Sequence, residues 1–313
     1  MPEKAEKFEK SEVQVEVEGR RLTINNLDKV LYPGTGTTKG EVLHYYAAIA
    51  PVMLPHLAGR CVTRIRWPHG VGDSSFFEKN VPPGTPAWVR TAEVPTTGSR
   101  SGQGSGVIRF PVVDDVATLT WLANLAALEL HVHQWRVDDD DQPLPPDRLV
   151  IDLDPGEPAT LHECAQVALL VREALSERGL ECTPVTSGSK GLHLYAGLEG
   201  VTIDDVVPDS DLVTVFAKEV AEELQSSHGH LVTATMTKSR RGGKVFLDWS
   251  QNAASKTTVA PYSLRGRERP TVATPLTWDE VAGVAEDPLS LDQFTAEEVL
   301  ARVAERGDLL GVD

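Results

Sequence analysis

Hydrophobic and polar positions along the chain sort into short alternating stretches interleaved with longer stretches of helical period. Val13-Gln14-Val15-Glu16-Val17 alternates with period two, which predicts a strand that buries one face. A turn is expected at Pro33-Gly34-Thr35-Gly36. Beyond it, Lys39 to Leu54 has the apolar spacing of a helix that should stop near Pro55. Pro82 to Gly106 is rich in Pro, Gly, Ser and Thr and reads as loop with room for a short strand. Asp114 or Asp115 can cap a helix with Leu119, Leu122, Ala123, Ala126 and Leu130 on its apolar face, closed by His131 and His133. Leu149 to Asp154 is a short apolar run halted at Pro155-Gly156, and its length and β-branching predict a buried strand.

Thr160 and Glu163 have the spacing of a capping box for the next helix, which Gly179 should end. Val185 to Leu198 predicts strand, Gly-rich turn, strand. Asp211 to Gln225 predicts a helix, Lys244 to Trp249 a further strand, and the acidic segment after Trp278 at least one helix. Strands and helices mix without a regular βαβ rhythm, so an α+β fold is expected rather than a doubly wound sheet.

Composition narrows the class. The chain has 313 residues, with 41% hydrophobic and 24% charged, which excludes disorder over most of its length. No apolar run approaches the roughly 20 residues of a membrane span. The charged start, MPEKAEKFEK, is not a secretory leader, and residues 1–12 read as a solvated tail. Cys61, Cys164 and Cys182 never form a C-x-x-C. That excludes a cysteine-built zinc site and fits a reducing cytoplasm. Against 46 acidic residues stand 30 basic ones, a net charge of −16, which excludes an indiscriminate nucleic-acid coat. The charge is uneven, however. Residues 236–270 carry +6 and leave −22 for the rest, so this stretch either faces a polyanion or is a solvated basic loop.

Asp152 and Asp154 lie two apart on a predicted strand, which projects both carboxylates from one face. Side by side they repel and resist burial unless a cation compensates. Hard divalent ions with oxygen ligands are the usual compensation, and the alternative is a solvated strand end. Thr186 to His193 is a Gly-rich turn whose N–H, hydroxyl and ammonium groups suit phosphate oxygens. It departs from the Walker pattern, because Lys190 is followed by Gly191 and no helix follows. Asp248 is a third acid at a strand end, framed by the basic stretch. Either His131 or His133 can serve as a phosphate donor, or simply close a helix. Phe76-Phe77 can stack on bases or belong to a half-buried hairpin. Three aspartates alone equally allow a two-metal phosphodiesterase or nuclease, and a fold that keeps its shape without the chemistry leaves a non-catalytic binding module.

Four motifs occur in order: Asp152-Leu153-Asp154-Pro155-Gly156, Ser187 to Tyr195, Phe246 to Asn252 and Pro261 to Arg265. The set resembles the polymerase domain of bacterial ATP-dependent DNA ligase D, within the archaeo-eukaryotic primase superfamily. The likeness runs from about Leu22 to Leu310. It implies an α+β primase-type core with a mixed or antiparallel sheet and a smaller packed N-terminal module, as one domain over 13–313 divided near residue 113. It implies that Asp152, Asp154 and Asp248 bind two divalent ions, manganese favoured and magnesium possible, and catalyse template-dependent transfer from NTP or dNTP. His131, Ser187, Lys190, His193, Gln251 and Arg265 would contact the nucleotide. Asn26, Lys29 and Lys39 would hold the 5′-phosphate of a DNA end, and Phe76 and Phe77 would stack on template bases. The implied setting is non-homologous end joining in a bacterial cytoplasm, at the nucleoid, with ribonucleotides accepted, Ku as partner and a ligase in cis or in trans. In one place the chain departs from its relatives: Ile65, between Arg64 and Arg66, stands where they carry a basic residue.

Overall fold

The computed structural model describes residues 12–96 and 106–311. Most of the expected tail and part of the Pro82–Gly106 loop lie outside those residues. Glu12, assigned to the tail from sequence, already belongs to the first strand. The chain opens with β1 (Glu12–Val17) and β2 (Arg20–Asn25), an antiparallel hairpin, then β3 (Val30–Tyr32) and β4 (Thr37–Thr38) around the expected turn. Thr38 caps α1 (Lys39–Leu57) through a capping box with Glu41.

This helix passes through both Pro51 and Pro55, beyond its expected end. Val42, Tyr46, Ile49 and Met53 bury its apolar face so thoroughly that packing overrides the missing donors. Next come β5 (Val62–Arg66), β6 (Phe76–Glu78), and the hairpin of β7 (Thr91–Thr96) and β8 (Gly106–Pro111). Asp115 caps α2 (Val116–Asn124) by accepting from the Thr118 N–H. The expected helix is shorter than its apolar pattern: Ala126 adopts φ +58° and turns the chain into β9 (Ala127–Val132). Leu130 and His131 therefore lie on a strand, and His133 just past it.

The second half of the chain contains β10 (Arg148–Pro155), α3 (Leu161–Ser176), β11 (Cys182–Thr186), β12 (Leu192–Gly197), α4 (Ser210–Ser227), β13 (Val232–Thr233), β14 (Val245–Asp248), β15 (Thr258–Val259), α5 (Trp278–Glu286) and α6 (Ala296–Arg306). Its five-stranded sheet has the order β11-β12-β10-β14-β13, antiparallel except for the β13–β14 pair. A four-stranded antiparallel sheet, β15-β9-β5-β6, joins β15 to three strands of the first half.

Two main hydrophobic clusters support these sheets. Leu149, Ile151 and Leu153 on β10 pack against Val167 and Val171 of α3 and Ala217 and Val220 of α4. The other cluster joins α1, α2 and β9 to Tyr262, Leu264, Val272 and Val299. Because β10 alternates, its odd residues fill the core and Asp152 and Asp154 face the opposite side. The α+β expectation with a mixed sheet holds. Among the described residues, no helix is long and apolar enough to cross a membrane.

Candidate active site

Strand β10 is central in its sheet, and its two neighbours bring the remaining polar groups to one point. Asp152 is paired in register with Asp248 on β14 and with His193 on β12. One carboxylate oxygen from each of Asp152, Asp154 and Asp248 lies within 4.8 Å of the others. Burial, then the charges of Asp152 and Asp248 working against His193, push the Asp154 carboxyl up to about 6. This is an all-oxygen, anionic donor set, and it fits a hard divalent cation. His193 Nε2 meets Asp152 Oδ1 at 3.3 Å, while Asp248 accepts from Ser250 Oγ at 2.6 Å and Gln251 Nε2 at 2.9 Å. Gln251 thus reaches the carboxylate cluster itself.

Beside the aspartates opens a cleft of about 470 Å³, lined by Asp152, Asp154, His131, Ser187, Lys190, His193, Gln251 and Arg265. All six residues expected to hold the nucleotide therefore share one cavity. The Gly-rich turn is built by Ser187, whose hydroxyl accepts from the Ser189 and Gly191 N–H groups at 3.2 and 3.1 Å. Glycine is required at 191, where a Cβ would stand 1.9 Å from the Leu153 carbonyl oxygen. Lys190 is exposed, and its ammonium meets Glu157 at 2.9 Å. Arg265 donates from Nη1 to the Ser187 carbonyl at 2.8 Å, tying two of the four motifs together. From the basic stretch, Lys238, Arg241 and Arg267 also line the cleft. Lys244 instead donates to the Gly229 carbonyl. His133 is buried and stacked on Trp135 at 4.2 Å, which leaves His131 as the histidine of this strand that reaches the cleft.

Glu129 is the residue that sequence reasoning missed. It is buried on β9, with Oε2 at 2.8 Å from His131 Nε2 and Oε1 at 3.3 Å from Arg265 Nε and 2.9 Å from the Gly266 N–H. Burial raises its carboxyl, but the His131 hydrogen bond and the charges of Arg265 and His131, with the Gly266 N–H, outweigh that and hold it at about 2. The signal was present as an acid in the alternating run Ala127-Leu128-Glu129-Leu130-His131-Val132, two before the histidine. Extending the preceding helix over those residues hid it.

The residues expected to hold a DNA end form a separate group outside this cleft. Lys39 is buried, and its ammonium donates to the backbone carbonyl and Oδ1 of Asn25, both at 2.7 Å, so Asn25 rather than Asn26 holds it. Burial and the nearby Lys29 ammonium push the Lys39 pKa down to about 8. Asn26, at φ +53°, gives its carbonyl to the Lys29 N–H. The first three N–H groups of α1 are already engaged. Lys39 N–H donates to Lys29 O, Gly40 N–H to Leu27 O, and Glu41 N–H to Thr38 Oγ. Any anion held here relies on the two ammonium groups. Phe76 and Phe77 lie on the edge strand β6, paired antiparallel with β5, and are 47% and 60% exposed. Ile65 stands directly across from Phe77, while Arg64 and Arg66 both pair with Glu78.

The chain is similar to known proteins over most of its length. Residues 38–310 match the family described as LigD, primase-polymerase domain. The chain is 50% identical over 296 residues to the multifunctional non-homologous end joining DNA repair protein LigD of Mycobacterium tuberculosis, covering 93% of this chain and 37% of that protein. It is 32% identical over 289 residues to the bifunctional non-homologous end joining protein LigD of Bacillus subtilis, covering 92% of this chain and 43% of the relative. The chain thus spans well under half the length of these relatives. The solved polymerase domain from Mycobacterium tuberculosis ligase D, in complex with DNA, superposes with a TM-score of 0.83 at 50% identity, covering 93% of this chain and 96% of that one.

Proposed function

We propose a function from one premise, that this chain belongs to the LigD primase-polymerase family: it is a template-directed nucleotidyltransferase that fills or extends broken DNA ends. The observation that carries the reading is the meeting of three carboxylates with a phosphate-binding set across one cleft. Asp152, Asp154 and Asp248 would hold two divalent ions. Bound there, such ions supply Lewis acidity toward the attacking primer hydroxyl and the leaving pyrophosphate. Gln251 orients Asp248, and His193 orients Asp152. Ser187, Lys190, His131 and Arg265 grip the triphosphate, and Lys238, Arg241 and Arg267 add positive charge where negative charge develops.

In the same reading, Lys29 and Lys39 hold a 5′-phosphate, with Asn26 helping through the loop it shapes. Phe76 and Phe77 receive template bases. A module over about 13–113 then presents the DNA end to a core over about 114–313. Acceptance of ribonucleotides, preference for manganese over magnesium, Ku as a partner and a ligase in cis or in trans belong to this proposal, as does a bacterial cytoplasm. Primer extension with manganese and labelled nucleotide tests it. Templated addition with pyrophosphate release is the expected result. Cleavage without addition would make the protein a nuclease, which has no need of the Ser187/Lys190/Arg265 set, and inertness would make it an end binder.

A further inference from the structure

We propose, resting on the nucleotidyl-transfer reading above, that Glu129 is a positioning residue for the triphosphate and that it makes nucleotide binding proton-coupled, His131 taking up a proton as the triphosphate arrives. Glu129 and His131 lie two apart on β9 and so share a face of the strand. With a carboxylate 2.8 Å from Nε2, that ring nitrogen carries the hydrogen and donates. Nδ1 makes no hydrogen bond among the described residues, and the ring lines the cleft. A neutral ring in this tautomer offers the cleft a lone pair, which repels a phosphate oxygen. Once Nδ1 is protonated, the same ring donates a charge-assisted hydrogen bond to the phosphate.

The groups facing the ring explain why the proton waits for the ligand. Glu129 on its own strand favours the cation. Arg265 from the following loop and His193 from β12 oppose it. The paired positions on β5 and β15 are Thr63 and Val259, which do not titrate. Burial acts in the same direction as Arg265 and holds the free ring's pKa below its ordinary value. A triphosphate reverses this balance. The proton comes from solvent, the bond formed is Nδ1–H, and it is returned when pyrophosphate leaves. Glu129 has a second task, since the same carboxylate fixes Arg265 through Nε.

The test is titration calorimetry of the full chain with magnesium and a non-hydrolysable nucleoside triphosphate, without DNA, in buffers of differing ionisation enthalpy. At about pH 7.5 to 9 the nucleotide's own phosphates are ionised. Uptake approaching one proton is expected there, with affinity falling by up to about tenfold per pH unit. Glu129→Gln and His131→Gln should each remove the uptake and flatten the pH profile, while Glu129→Asp should restore it in part. Should Glu129→Gln fail to fold, ¹⁵N-histidine NMR of the wild type decides: one protonated ring nitrogen in free His131 and two in the complex. A single protonated nitrogen in both states, binding without uptake, or full uptake retained in a folded Glu129→Gln would overturn the proposal. If the wild type binds no nucleotide at all, the parent reading falls first, and the primer-extension assay reports that separately.

Discussion

Replacing Asp154 with Asn should stabilise the metal-free protein while abolishing nucleotide addition. Its carboxyl is pushed from the ordinary 3.8 up to about 6, first by burial and then by Asp152 and Asp248. Two units correspond to a ceiling of about 3 kcal/mol. Asp154 is exposed on one side, so solvent screening leaves roughly 1 kcal/mol. In a chain of this length that raises the melting temperature by about 2 °C. The sign depends on pH. Because the folded pKa lies above the unfolded one, the wild type carries no penalty below about pH 4 and loses stability as pH rises through 6. Melting curves in chelator at pH 8 should therefore favour Asp154→Asn, and the gap should close toward pH 4. Added manganese should reverse the order, by stabilising the wild type more than the variant. A variant less stable at pH 8, or a gap that persists at pH 4, would refute the reasoning.

Alanine at Lys190 or Arg265 should weaken nucleotide binding about ten- to a hundredfold, the worth of one charge-assisted hydrogen bond, and leave DNA affinity unchanged in a gel-shift assay. The wild type should bind gapped DNA more tightly when its downstream strand carries a 5′-phosphate. Lys29→Ala/Lys39→Ala should lose that preference while still extending a simple primer–template. Since Lys39 sheds its proton as pH rises through about 8, the wild-type preference should shrink between pH 7 and 9 in fluorescence anisotropy. Phe76→Ala and Phe77→Ala should each weaken template binding by about 1–3 kcal/mol, with melting temperature little moved because both residues are about half exposed.

What the sequence discloses and what it conceals divide along physical lines. Asp152 and Asp154 are legible because period-two alternation leaves no ambiguity about which face two such acids share. Asp248 is legible from its strand-end context, and its register opposite Asp152 is a long-range fact that no local pattern encodes. Local punctuation misleads where tertiary packing wins, as in α1, whose buried face carries it through Pro51 and Pro55. Between α2 and β9 an apolar pattern is ambiguous in period, and the one residue that decides it, Ala126 at φ +58°, carries no glycine signature. Both Glu129 and the strand position of His131 were lost there. At the start of α1 the fate of each N–H depends on which carbonyls of the Leu27–Lys29 turn come up against it, and composition does not show that.

The hydrophobic cluster that unites α1, α2 and β9 with Tyr262, Leu264, Val272 and Val299 also sets a timetable for synthesis. A ribosome delivers about 5–20 residues per second, so the N-terminal half leaves the exit tunnel many seconds before the segment that completes its core. During that interval Tyr46, Ile49 and Met53 have no full complement of neighbours. The sheet built on β10, by contrast, draws most of its core from the contiguous stretch of Leu149 to Leu247 and can close as soon as that stretch emerges. Consolidation therefore runs against the direction of translation: the sheet on β10 is finished first, and the earlier cluster waits for the segment from Tyr262 to Val299.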